Sequence, residues 1–185
     1  MRLLAIPCLA LALSQLGVAA WLQLKAVLAQ QLIVAAWQAP GQKKPWPWAD
    51  TFPLARLELP AQGQTLYVLA GGHGQALAFG PGHDSGSSLP GEQGMIVIGG
   101  HRDTHFAVLE HVAVGDRLQL TGKDQRSYAY EVQSLQVLDS RRQPLELHGD
   151  GVALVTCFPF DALSAGGPLR YVVLARPAVL LPEAP

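Results

Sequence analysis

Three polar residues stand where apolar runs begin or end, and together they could carry acyl transfer. Cys157 closes Val152-Ala153-Leu154-Val155-Thr156, His101 follows Met95-Ile96-Val97-Ile98-Gly99-Gly100, and Arg170 opens Tyr171-Val172-Val173-Leu174. A free thiol has a pKa near 8.5, so only about a few per cent is thiolate at neutral pH. An imidazole within reach can take that proton, or hold the thiolate as an imidazolium partner, and later protonate a leaving amine. An arginine stays charged and presents a fork of donors to a substrate carbonyl or its developing oxyanion. Thr156, beside the thiol, adds a hydroxyl for a supporting hydrogen bond. Singly, each residue has a plainer reading. A strand cysteine is more often core than catalyst, a His after Gly-Gly is often a turn residue, and an Arg at a strand start is usually solvated.

The neighbours of this set carry weaker signals. Asp103 is placed either to orient His101 or to cap the turn through Thr104. His105 lies four residues from His101, a metal-like spacing on a helix, but no third ligand accompanies the pair. It is read as a cleft or packing residue. His111 and His148 read as exposed turn or helix-end residues, and His83 sits in a Gly/Ser-rich loop, 80–88, able to line a substrate groove. Asp84, Glu92 and Asp116 lack the spacing of an EF-hand loop. No metal and no cofactor is expected.

Rigid strands hold such groups, and strand ends expose them to a cleft. Beyond residue 50 the chain reads as short apolar stretches broken by Gly and Pro. Strands are expected at 54–59, 65–70, 75–79, 95–99, 117–120, 127–138, 152–157 and 170–175, with a short helix at 104–111. Eight short strands with turn signals between them predict a mainly β fold, a closed or nearly closed barrel. The two cysteines, Cys8 and Cys157, lie too far apart in kind to pair, one in an apolar N-terminal run and one in the folded domain.

Residues 3–24 carry no charge, a length that spans a bilayer core as a helix. A cleaved signal peptide ending near Val18-Ala19-Ala20 is one reading. An uncleaved signal anchor is preferred, because apolar residues at helical spacing continue through Val27, Leu28, Leu32 and Val34 to Trp37. The domain plan is therefore a transmembrane helix at 1–37, a Pro/Trp linker at 38–50, a catalytic domain at 51–180 and a tail at 181–185. In the linker, Trp46 and Trp48 are expected either at the membrane interface or on the barrel's outer surface. The net charge of −1, without a basic block, argues against a nucleic-acid partner.

The local words add a resemblance. Leu154-Val155-Thr156-Cys157, with Arg170 thirteen residues on and Gly100-His101-Arg102 upstream, resembles the sortase signature of a TLxTC-like strand, a later catalytic Arg and an earlier catalytic His. Ala153 stands where the usual word has Thr, a departure that leaves the Leu, Thr and Cys in place. The words Trp46-Pro47-Trp48-Ala49-Asp50, Gly100-His101-Arg102-Asp103-Thr104-His105-Phe106 and Cys157-Phe158-Pro159-Phe160 look most like sortases of Gram-negative bacteria. The resemblance covers residues 50–177. It implies an eight-stranded sortase barrel anchored in the bacterial cytoplasmic membrane, with the domain on the extracytoplasmic side. It implies a catalytic triad of His101, Cys157 and Arg170, an exported protein partner bearing an LPxTG-like C-terminal sorting signal, and an amine acceptor. A purely hydrolytic cysteine peptidase and a tethered, non-catalytic barrel with an inert Cys157 are the competing readings. A cell-wall L,D-transpeptidase is disfavoured, because its Ser-His-Gly-Cys-type word is absent.

Overall fold

The computed structural model describes residues 2–72, 74–142, 148–162 and 166–178, with side chains from residue 14 onward except that of Gln75. The expected tail at 181–185 and the side chain of Cys8 lie outside the described residues.

One long helix leads into one barrel. Helix α1 runs Arg2–Gln38, as the apolar residues continuing at helical spacing to Trp37 predict. The barrel strands are β1 (Pro53–Leu59), β2 (Gln64–Ala70), β3 (Gly82–His83), β4 (Met95–Gly99), β5 (Arg117–Gly122), β6 (Ser127–Asp139), β7 (Gly151–Cys157) and β8 (Leu169–Pro177). They close in the order β1-β2-β3-β4-β7-β8-β6-β5, and β1 completes the ring against β5. The β2–β3 and β4–β7 pairs are parallel and the rest antiparallel.

Side-chain alternation explains the closure. In β1, Ala55, Leu57 and Leu59 point inward while Arg56 and Glu58 pair with each other on the outer face. Leu57, Ile96, Ile98, Leu118, Leu120, Val132, Leu154 and Val173 meet in one core, with Phe106 and Leu109 packed among them. Fully burying each such side chain contributes about 1.5–3 kcal/mol. Strand β7 is buried on both faces for most of its length, which matches its continuous apolar run.

Three elements depart from the expectation. Residues 75–79 form a short helix, α2 (Gln75–Phe79), instead of a strand. Five residues carry too few periods to separate the two, and α2 is set by its surroundings: Ala76 and Phe79 pack with Ile33 of α1, Leu69 and Trp46. The eighth strand is instead Gly82–His83, inside the expected loop. His83 is buried there, its Nε2 2.9 Å from the Ser88 carbonyl oxygen. The short helix expected at 104–111 is a 3-10 turn over Ala107–His111.

The linker tryptophans divide. Trp46 lies against Phe79 at 4.9 Å between ring centroids, covering the barrel's flank, whereas Trp48 is exposed. The last turns of α1 dock beside them, burying Ala29, Ile33, Ala36 and Trp37. Lys123 closes the helix end by donating from Nζ to the carbonyls of Ala36, Trp37 and Ala39 at 3.0, 2.6 and 3.0 Å. An ammonium there satisfies orphan carbonyls and complements the negative end of the helix.

Candidate active site

Parallel pairing of β4 with β7 brings two distant words side by side. Met95 faces Gly151, and the register holds through Gly99 opposite Val155. The pairing runs one step past β4: the Gly100 N–H donates to the Val155 carbonyl at 3.1 Å. The buried Thr156 hydroxyl donates to the Gly100 carbonyl at 2.7 Å. His101 therefore leaves its strand level with Cys157 at the end of the next one. On the other side of β7, antiparallel pairing sets Arg170 directly opposite Cys157. A central strand thus carries the thiol, flanked by the strand that leads to the imidazole and the strand that begins with the guanidinium.

Local sequence makes the turn after β4. Gly100 has no room for a side chain, since a Cβ would lie 2.6 Å from the Phe106 ring. Phe106 is fully buried, and its N–H donates to the His101 carbonyl at 3.0 Å, so the turn folds back beneath His101. His101 itself is exposed, and Cys157 is a half-buried free thiol. Arg170 donates from Nη1 to the carbonyls of Gly167 and Leu169, at 2.6 and 2.9 Å.

Asp103 does not meet His101 among the described contacts. Its carboxylate accepts from Arg102 Nε at 2.7 Å. His105 is half-buried, and burial together with the neighbouring His101 charge pushes its pKa down. His111 and His148 are exposed, as expected. Among the described residues no three His, Cys, Asp or Glu side chains gather as a metal site.

Arg102 is the site residue that sequence reasoning passed over. Its side chain is buried, with Nη1 donating to the Pro159 carbonyl at 2.6 Å and Nη2 to the Ala162 carbonyl at 2.9 Å. It ties the loop after Cys157 to the turn that carries His101, and its charge lies within electrostatic reach of Cys157. Both partners are backbone atoms nearly sixty residues away, so no local signal could have disclosed them. Beyond the thiol, Phe158, Phe160 and Tyr171 form a three-ring cluster with centroids 5.2–6.1 Å apart. Phe160 and Tyr171 pack it against the barrel core at the end of β7, where Thr156 faces Tyr171.

Known proteins share this arrangement of the chain. A family model described as the Sortase domain matches residues 57–178. Sortase D of Bacillus subtilis is 30% identical over 123 residues, 65% of this chain and 61% of its own length. The match therefore spans less than two thirds of that relative. The structure of sortase A from Corynebacterium diphtheriae is similar with a TM-score of 0.63 and 30% identity, over 75% of this chain and 66% of that one. Sortase C1 from Streptococcus suis gives 0.61 and 25% identity, over 72% and 76% of the two chains.

Proposed function

The chain belongs to the sortase family, and from that premise we propose that it is a membrane-anchored cysteine transpeptidase with Cys157 as nucleophile, His101 as acid–base and Arg170 as carbonyl clamp. The observation that carries the reading is the register: the last residue of β7, Cys157, lies between Arg170 of β8 and the residue that follows Gly100.

In the proposed reaction the Cys157 sulfur attacks the carbonyl carbon on the N-terminal side of the scissile bond. The oxyanion that forms accepts hydrogen bonds from Arg170, whose Nε and Nη2 are the donors not engaged by Gly167 and Leu169. Collapse breaks the carbon–nitrogen bond, and His101 gives its proton to the departing amine. An acceptor amine then attacks the thioester, loses a proton to His101, and expels the Cys157 thiolate. The substrate is an exported protein with an LPxTG-like C-terminal sorting signal. The anchor is α1, whose residues 14–38 are long and apolar enough to cross a membrane, and the barrel lies on the extracytoplasmic side.

Mass spectrometry tests the reading on the full chain in detergent, incubated with LPxTG-like peptides with and without an amine acceptor. The expected result is a thioacyl adduct on Cys157, lost in Cys157→Ala and His101→Ala, and an amine-ligated product. An adduct released only as free acid would replace transpeptidation by hydrolysis. An unreactive Cys157 with no adduct would leave a binding barrel.

A further inference from the structure

Helix α1 has two regimes along its length. From Leu16 to Leu28 its large apolar side chains, including Val18, Trp21, Leu22, Leu24 and Val27, are more than half exposed. At Ala29, one residue on, burial against the barrel begins and continues to Trp37. A helix apolar on every face belongs in lipid, not water. No spacer separates that stretch from the docked turns, so a barrel gripping residues 29–37 cannot stand off from a bilayer that holds the preceding ones.

The side of the barrel that meets this junction carries the turn that follows His101. A cleft of about 550 Å³ lies between Leu22, Lys25 and Val27 of α1 and Phe79, Thr104 and His105 of the barrel. Its helix wall straddles the point where a span over 3–24 ends. There Lys25 folds its ammonium over the Trp21 ring, 5.3 Å from the centroid. Tryptophan and a snorkelling lysine are the residues that settle at the headgroup layer. The opposite end of α1, capped by Lys123, lies about 20 Å farther along the helix at 1.5 Å per residue.

We propose that this cleft is a membrane-seating surface, filled by the headgroup layer of a phospholipid bilayer, so that the His101 turn opens at the lipid surface. The occupant is lipid because the cleft continues the helix's own lipid-facing surface and carries a cation at phosphate height. The inference rests on the anchoring reading above.

Single cysteines at Val18, Ala78, Thr104 and Arg126, in the full chain with Cys8→Ala and Cys157→Ala, are labelled with an environment-sensitive fluorophore. The variants are reconstituted in phosphatidylcholine/phosphatidylglycerol vesicles bearing nitroxide on the headgroup or on the acyl chain. The Ala78 and Thr104 labels are expected to be quenched by headgroup nitroxide several-fold more strongly than Arg126, and Val18 by acyl-chain nitroxide. If Val18 is quenched while Ala78 and Thr104 match Arg126, anchoring stands and seating is overturned. If those two labels are unquenched yet shielded from aqueous iodide, protein fills the cleft and the lipid assignment is overturned. If Val18 escapes acyl-chain quenching, the anchoring reading falls first.

Discussion

Replacing Thr156 by valine removes the side-chain bond that ties the end of the His101 strand to the end of the Cys157 strand. Valine keeps the β-branched shape and suits a strand, so neither a cavity nor a propensity penalty follows. What disappears is the 2.7 Å hydrogen bond from the buried hydroxyl to the Gly100 carbonyl. Losing it and leaving the carbonyl short of a partner costs about 1–2 kcal/mol, which for a domain of this size lowers Tm by roughly 3–8 °C. The backbone bond from Gly100 to Val155 remains, so the barrel stays closed. His101, the next residue, loses one of its restraints, while the Phe106 N–H bond to its carbonyl stays. Misplacing a reacting group by an ångström costs up to about a hundredfold, and a fall of roughly tenfold or more in kcat/KM is expected. Thr156→Ser is the control, because it keeps the hydroxyl and gives up a methyl, a loss of about 1 kcal/mol. The two variants should therefore match in thermal stability and differ in the rate of amine-ligated product, measured well below both melting points. Equal activity in both, or full activity in Thr156→Val, would refute the claim that this hydroxyl positions the site.

Three further outcomes follow from the same geometry. Gly100→Ala drives a Cβ into the Phe106 ring and should cost about 1–3 kcal/mol in thermal unfolding; Gly99→Ala, with open space at its Cβ, should unfold like the parent. Lys123→Met removes the cap on three carbonyls of α1 and should cost about 1 kcal/mol, read as faster amide exchange near Trp37 with the barrel strands unchanged. His105 is held neutral by burial and by His101, so its folded pKa lies below the unfolded value of 6.5. The stability that this represents is present above pH 6.5 and is lost as pH falls through the folded pKa. His105→Gln should flatten the drop in Tm between pH 7.5 and 5.5, and an unchanged slope would remove His105 as its source.

Much of the architecture was legible because it is written in short-range patterns. Seven of the eight strands lie where alternation or continuous apolar runs occur, since a half-buried strand needs period two and a doubly covered one needs none. Helix α1 was legible for a similar reason: an apolar run at helical spacing, weakened but not stopped by Pro7 and Gly17, is long enough as a helix to cross a membrane. Cys157, His101 and Arg170 were visible as polar residues at strand ends, and their chain order supplied the resemblance.

Tertiary structure decided what depends on partners far along the chain. Residues 75–79 became a helix because Ile33, Leu69 and Trp46 offer a platform for Ala76 and Phe79, whereas Gly82–His83 became a strand because β2 and β4 offer edges on both sides. Neither choice is encoded within five residues of itself. Arg102 reads as one more surface arginine until two loop carbonyls close on it. The level placement of His101 with Cys157 exists only through a parallel register linking residues 56 apart, fixed by the shared core of β4 and β7 and by the Thr156 hydroxyl. Local sequence sets which residues can do chemistry. Which of them meet is set by long-range pairing, because a parallel ladder derives its register from packing along the whole strand and not from the residues at its end.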